Sequence, residues 1–416
     1  MLMSLEQTIE ALPATLHADG SPNIVAAFIG ENENGILRQT SQEFMDLLAP
    51  YGLSGHVINI YSEGWREQLQ SLLEQGMLFA WGAAGIGASL KANDAFFWDM
   101  ISVPFISVLA DTPCQLPANH HIPARYVANG YQFQDWLKMQ RRLVRSPQIS
   151  AMLPVGIVAN QARDAVSWSD RPYRMIFVKT CMAPELHRAR WVGLPKRFIA
   201  VIEDSAASIL QQGIGDITDT VLQSVDHHGL FLEHRPEVLF GLMAYVDFYV
   251  RDYRSTLMAQ ALLDLPVDII GRGWEHVSTP GCRARFHKAV DAKELLPLYA
   301  NTQFVLNTMP NFSTGTHERV LNAFAAKSCV VTNENDDMRR RFGPLPSYFG
   351  LNTADPDLKD QLAAIYHGTE RFDDHMQPAL DLVQTEHNAE KFVCAMFDVA
   401  TEVKAAANDP FNGFRY

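Results

Sequence analysis

The sequence predicts an α/β protein built from two doubly wound halves, and three observations predict it. Apolar runs short enough for buried strands alternate with stretches of helical periodicity over residues 23–127 and again over 173–332. Residues 301–332 hold a complete unit: an apolar run at 304–306, a loop of small residues at 307–316, a helical pattern (Val320, Leu321, Phe324, Ala325) and a β-branched run at 329–332. Strand, loop, helix and strand in so short a span need a parallel sheet. Finally, 416 residues exceed the roughly 150 of one typical domain.

Taken in order, residues 1–16 read as a short amphipathic helix, with acids where a signal peptide needs bases. Residues 23–29 form a strand closed by Gly30 and a polar loop at 31–35. A helix over 40–48, a strand over 56–60, a helix over 65–75 and a strand over 77–81 follow. The last strand runs into Gly82, Gly85 and Gly87, which either cradle a phosphate or let a helix pack closely on the sheet. The strand at 103–109 ends in Asp111-Thr112-Pro113, placing a carboxylate at the rim of the sheet or in a solvated turn. His120 and His121 are adjacent and point apart, so they do not share a metal. Residues 125–127 read as a fifth strand, 154–158 as the exit from the first domain and 163–172 as a connector. The expected division is 1–165 and 166–416.

The second half opens with a strand at 173–178 that ends in Lys179 and Thr180. Lysine at a strand end suits a phosphate, although surface lysines are common. Residues 184–265 read as a helical insertion, with 198–202 as a short strand inside it. The strand at 267–270 leads to Gly271, Gly273 and Trp274, a candidate wall for a flat aromatic pocket. Residues 335–341 read as a solvated charged turn, and Asp355 and Asp357 as a turn rather than a metal pair. From 358 to 407 the pattern is helical and long enough to return to the first domain.

The loop before the 320–325 helix carries the chemistry. A helix start offers unpaired N–H groups and the positive end of the macrodipole, and glycine lets an anion approach the backbone. Thr314, Gly315 and Thr316 stand there, with Glu318 and Arg319 in the first turn. The plain alternative is that Thr316 caps the helix and Glu318 complements its dipole.

Composition narrows the class. The chain has 34 basic against 47 acidic residues, a net charge of −13, which argues against nucleic acid as a main partner. No run approaches the roughly 20 apolar residues of a membrane span. Five widely spaced cysteines with no metal spacing read as reduced thiols of a cytoplasmic protein. No Walker loop, dinucleotide fingerprint or nucleophile elbow occurs.

Residues 315–332 (GTHERVLNAFAAKSCVVT) resemble the donor-site helix of GT-B glycosyltransferases, nearest the CgeB/YkvP-type, the spore-protein-like family. Asp111-Thr112-Pro113, residues 173–180 and Gly271-Arg272-Gly273-Trp274 resemble three further features of that family in the same order. The resemblance implies two Rossmann-like domains, a nucleotide-sugar donor held by the second, and an acceptor (glycan, protein or small molecule) held mostly by the first. It implies no obligatory metal and no cofactor. Donor contacts would come from Lys179, Thr180, Gly271, Gly273, Trp274, Asn307, Ser313, Thr314, Gly315, Thr316, His317, Glu318, Arg319 and Asn322. The amides of 315–317 would cradle phosphate, and Asp111 would serve as base, with His120 or His121 as substitutes. Thr314 and Asn322 stand where many retaining members carry glutamates, Lys327 where the helix usually ends in glycine, and Lys179 where the family strand has glycine. Two other readings of the same residues are a binding or scaffold protein with a decayed donor site and a sugar-nucleotide epimerase or phosphorylase of this fold.

Overall fold

The computed structural model describes residues 23–31, 35–144, 149–158 and 166–409. The expected helix at 1–16 and the start of the 163–172 connector lie outside them. Contacts divide the chain into a first unit, residues 1–158 with 386–416, and a second, residues 159–385.

The first unit runs β1 (Asn23–Ile29), α1 (Ile36–Asp46), β2 (Leu53–Asn59), α2 (Trp65–Gln75), β3 (Met77–Ala83), a short hairpin of β4 (Lys91–Ala92) and β5 (Ala95–Phe96), α3 (Phe97–Ile101), β6 (Phe105–Leu109), β7 (Val127–Tyr131), α4 (Gln134–Leu143) and β8 (Ser150–Met152). Six strands form a parallel sheet in the order β2-β1-β3-β6-β7-β8. Every residue of β6 and β7 is buried, as a sheet covered on both faces requires. The strand expected at 125–127 begins only at Val127. Arg125 and Tyr126 are anchors instead, the first bonding the Ala407 carbonyl and the second Asn408 at 3.1 Å. Packing, not phosphate, explains the glycine run. A Cβ at Gly82 would sit 1.9 Å from the Ile86 carbonyl oxygen, and one at Gly87 (φ +90°) would sit 2.9 Å from the Phe28 ring.

The helix Ala389–Asn408 also belongs to this unit, the return expected of the 358–407 stretch, although the division at 165 counts those residues with the second domain. Its buried residues Phe392, Val393, Met396, Phe397, Ala400 and Val403 recur at helical spacing. Phe392 stacks on Phe44 with ring centroids 4.6 Å apart, and Phe397 meets Phe79 edge-on at 5.0 Å. Each such side chain gains about 1.5–3 kcal/mol on burial.

The second unit runs β9 (Tyr173–Val178), α5 (Pro184–Ala189), α6 (Lys196–Gln212), α7 (Ile217–His227), α8 (Pro236–Ala261), β10 (Asp268–Ile270), β11 (Arg285–His287), α9 (Ala292–Ala300), β12 (Thr302–Asn307), α10 (Glu318–Ala325), β13 (Cys329–Asn333), α11 (Asp336–Phe342), β14 (Tyr348–Leu351), α12 (Leu358–His367) and α13 (Gln377–Glu386). Helices α5 to α8 are the expected insertion. The strand expected at 198–202 lies inside α6, because Val201, Ile202, Ser205, Ala206 and Ile209 bury one helical face. Likewise 335–341 is mostly helix, capped by Asn335, whose side chain accepts from the Met338 amide at 2.8 Å.

All strands of this sheet are parallel, in the order β11-β10-β9-β12-β13-β14. The order reverses between β9 and β12. Connections leave these neighbours in opposite directions, which opens a crevice beyond their carboxyl ends. β12 is buried along its whole length, so its position is fixed by core packing. Helix α10 ends in paired bonds, Lys327 amide to Phe324 and Ser328 amide to Ala323, each 2.9 Å. Lys327 takes φ +55° there, the left-handed conformation that glycine adopts without strain.

Candidate donor site at the switch point

Lys179 is the first residue after β9, at the carboxyl end of the strand where the order reverses. Its backbone is clamped: the amide donates to the Ile270 carbonyl at 2.9 Å, and the Trp274 indole N–H donates to its carbonyl at 2.8 Å. The two glycines permit that clamp. A Cβ at Gly271 (φ +149°) would lie 2.0 Å from the Lys179 carbonyl oxygen, and one at Gly273 (φ +81°) 1.9 Å from that of Cys181. Trp274 is itself 4% exposed and packs on Phe177 at 5.7 Å. It therefore belongs to the core and does not form the pocket wall expected from the sequence. Gly271, Gly273 and Trp274 position Lys179; Thr180, the next residue, is exposed.

The Lys179 side chain is buried, and its ammonium is pushed well below the usual lysine range. Burial is the main cause, followed by repulsion from Arg319 and Arg251, with Asp252 acting in the opposite sense. Basic residues from β9, α10 and the insertion helix α8 thus lie close enough for Arg319 and Arg251 to oppose the Lys179 charge. An anion among them would relieve both repulsion and desolvation.

From β12, Asn307 turns its amide oxygen to the Arg319 guanidinium at 3.3 Å and its amide nitrogen to Thr332 at 3.1 Å. In the loop that follows, the Thr314 and Thr316 hydroxyls are buried without a hydrogen-bond partner within the protein. Such groups cost about 1–3 kcal/mol when unsatisfied. Ser313 is half-buried. The Gly315 amide, expected to meet phosphate, donates to Asp337 at 3.3 Å; a carboxylate of α11 already holds that position.

Helix α10 starts one residue later than Thr316 suggested. His317, not Thr316, is its cap, with Nδ1 3.2 Å from the Arg319 amide and 2.7 Å from the Glu318 carboxylate. The proton's place on the ring decides which contact is the hydrogen bond. Burial, only partly opposed by Glu318, lowers the imidazole to about 4, so the ring is neutral near pH 7. Desolvation works against the Glu318 charge, but His317 and Arg319 outweigh it and hold the carboxyl at about 2. Its side chain is half-exposed, a fixed carboxylate able to accept from hydroxyls. Asn322 is half-buried on the next turn.

The insertion contributes residues that sequence reading missed. On α8, Asp247, Arg251, Arg254 and Ser255 share one face at helical spacing. Asp247 accepts from Asn311 at 2.9 Å, Arg254 donates to Asn311, and Ser255 meets Thr308 at 2.9 Å. Arg254 is wholly buried. The loop carrying the threonines is therefore held by the insertion helix. Asp252 ties down the other strand end, accepting from the Met182 amide at 3.2 Å and contacting His187 at 2.7 Å.

Asp111, His120 and His121 lie in the first unit. Asp111 is half-buried just beyond the carboxyl end of β6. His120 is enclosed in the first unit: it is 1% exposed, its Nδ1 meets the Tyr131 hydroxyl at 3.0 Å, and burial pushes its ring down to about 3. His121 is exposed. Among the described residues, no three His, Cys, Asp or Glu side chains are grouped to hold a metal, and no helix is long and apolar enough to cross a membrane.

Comparison with known proteins bears on both fold and site. Residues 253–398 match a family model described as glycosyl transferase-like. No curated protein matches by sequence. Among solved structures, sucrose-phosphate synthase from Thermosynechococcus elongatus is similar at a TM-score of 0.52 and 10% identity, covering 92% of this chain and 100% of that one. The Anabaena protein HepE in complex with UDP and glucose gives 0.51 and 9%, with 90% and 98% covered. An α-glucosyltransferase in complex with UDP and DNA gives 0.53 and 8%, with 91% and 100% covered. The fold is that of the GT-B glycosyltransferases, and the switch-point loop and its helix lie within a glycosyl transferase-like segment.

Proposed function

We propose that the protein transfers a sugar from a nucleotide-sugar donor to an acceptor hydroxyl, and that its nearest kin are the CgeB/YkvP-type enzymes. The placing of Arg319 on Asn307 at the end of β12, beside the buried, partnerless Thr314 and Thr316 hydroxyls and across from Lys179 at the end of β9, carries this reading. In it, these cations meet the diphosphate, whose leaving oxygen gathers charge as the bond to the anomeric carbon breaks. Thr314 and Thr316 offer hydroxyls to the same group, and Glu318 accepts from ribose or sugar hydroxyls. Asp111 is the group we assign to take the acceptor proton if configuration is inverted, as the new bond to the anomeric carbon forms. Basic side chains meet the diphosphate's charge in this reading, so transfer is expected to survive chelation of divalent metal. The site takes no cofactor in this reading, and the protein works in the cytoplasm.

The test is a thermal-shift panel of nucleoside diphosphates and nucleotide sugars, followed by product detection by mass spectrometry with the donor that binds. A ligand at about 100 times its Kd stabilises the fold by roughly 2.7 kcal/mol. Stabilisation that disappears in Arg319→Ala supports the site; no stabilisation by any of them refutes it. Thr314 and Asn322, standing where retaining relatives carry glutamates, favour a second reading as a binding protein. Nucleotide binding with neither transfer nor donor hydrolysis is its signature.

A further inference from the structure

A cavity of about 290 Å³ opens in the second unit beyond β13 and β14. Its position differs from that of the cation cluster, which lies at the ends of β9 and β12. Gln212, Glu334, Arg339, Asn352, Asp355 and Gln361 supply most of its wall, so amides and carboxylates dominate. Among the described residues its lining includes no aromatic ring, which leaves a flat base nothing to stack on.

The polar groups are already oriented. Gln361 donates to Asp355 at 2.9 Å, and the Asn352 side-chain oxygen accepts from the Ala354 amide at 3.0 Å. Glu334 accepts from Arg339 and from the Tyr348 hydroxyl, both at 2.8 Å. Gly350 leaves it room, since a Cβ there would lie 2.1 Å from the carboxylate. Arg339 is also engaged with Asp336 at 2.9 Å. Its charge is matched twice over, so an anion gains little here. Fixed amides and carboxylates around a small space suit vicinal hydroxyls, each of which both donates and accepts.

We propose that this cavity binds a neutral polyhydroxylated molecule of monosaccharide size. Two connections lead from it to the loop after β12. Asn333, in its wall, accepts from the Met309 amide at 2.7 Å. Gly213, also in its wall, accepts from Arg254, which donates to Asn311. An occupant therefore rests against the residues that hold the threonine loop.

The experiment is saturation-transfer difference NMR on the full chain with free glucose, galactose, mannose and N-acetylglucosamine. At least one sugar is expected to bind. Asn352→Leu and Gln361→Leu are each expected to weaken it about tenfold, the value of one hydrogen bond near 1.4 kcal/mol. Asp355→Asn, which keeps its shape, guards against misfolding and is expected to act in the same direction. Binding unchanged in Arg319→Ala, even if the proposed donor site fails, supports a separate pocket. Loss of binding in Arg319→Ala with retention in the leucine variants overturns the proposal. So does the absence of transfer to any of the four sugars, or displacement of the sugar by inorganic phosphate.

Discussion

Lys179→Met separates the charge of the switch-point lysine from its place in the fold. The backbone at 179 is held by Ile270 and Trp274 whatever the side chain, and methionine fills nearly the same buried volume. What disappears is an ammonium that burial, Arg319 and Arg251 together hold well below the ordinary lysine range. Between that lowered value and about 10.4 the unfolded chain binds a proton that the folded chain does not, so the wild-type residue makes stability rise with pH. The variant loses that slope and is expected to be no less stable at pH 7. A bound diphosphate favours the charged form of Lys179, so binding is expected to weaken as pH rises and to take up a proton wherever the free lysine is neutral. A charge-assisted hydrogen bond is worth about 1.5–3 kcal/mol, so Lys179→Met is expected to weaken nucleoside diphosphate binding about 10- to 150-fold. Isothermal titration in two buffers of different ionisation enthalpy reads both affinity and proton uptake. Unchanged affinity, or proton uptake persisting in the variant, would refute the reasoning.

Three further outcomes follow from geometry. Gly273→Ala places a Cβ 1.9 Å from the Cys181 carbonyl oxygen at φ +81°; left-handed strain and overpacking together are expected to cost about 2–5 kcal/mol in urea unfolding, and an unchanged midpoint would contradict the clamp. Lys327→Gly relieves φ +55° at the end of α10 and is expected to gain about 1 kcal/mol, with a lower melting temperature as the contrary result. His120 and His317, held at about 3 and about 4 by burial, are neutral in the fold but charge in the unfolded chain below about 6.5. Stability is therefore expected to fall as pH drops from 6.5 toward 4, by up to about 1.4 kcal/mol per pH unit per group. His120→Gln should make that decline shallower, and an identical decline would remove His120 from the account.

Much of this was legible in the sequence. Residues 304–306 are apolar and 329–332 largely β-branched, as strands covered on both faces tend to be, and Asn307 at the end of the first strand and Glu318 and Arg319 at the start of the following helix stand at the switch point. Where reading went astray, the deciding partner was distant in sequence. Trp274 beside two glycines reads equally as pocket wall or core, and only the carbonyl of Lys179 settles it. His120 and His121 differ by one position, yet Tyr131 buries one and leaves the other to solvent. The charged run 335–341 resembles a solvated turn until Asp337 is seen on the Gly315 amide. Asp247 and Arg254 stand in a long, largely apolar helix, and their partner Asn311 comes 57 residues after Arg254. Their shared helical face was the one signal available locally.

The return of the last helix to the first sheet sets an order on synthesis. Phe44, Phe79 and Trp81 take part of their cover from Phe392 and Phe397, residues that leave the ribosome after the whole of 159–385. Until those residues are made, the amino-terminal sheet lacks part of its hydrophobic cover, whereas the later unit is contiguous in sequence and has all its own residues earlier. A nascent chain paused near residue 385 would expose that face to chaperones. For the same reason 159–385 is the piece to express alone, whereas 1–158 would emerge as a sheet lacking its lid.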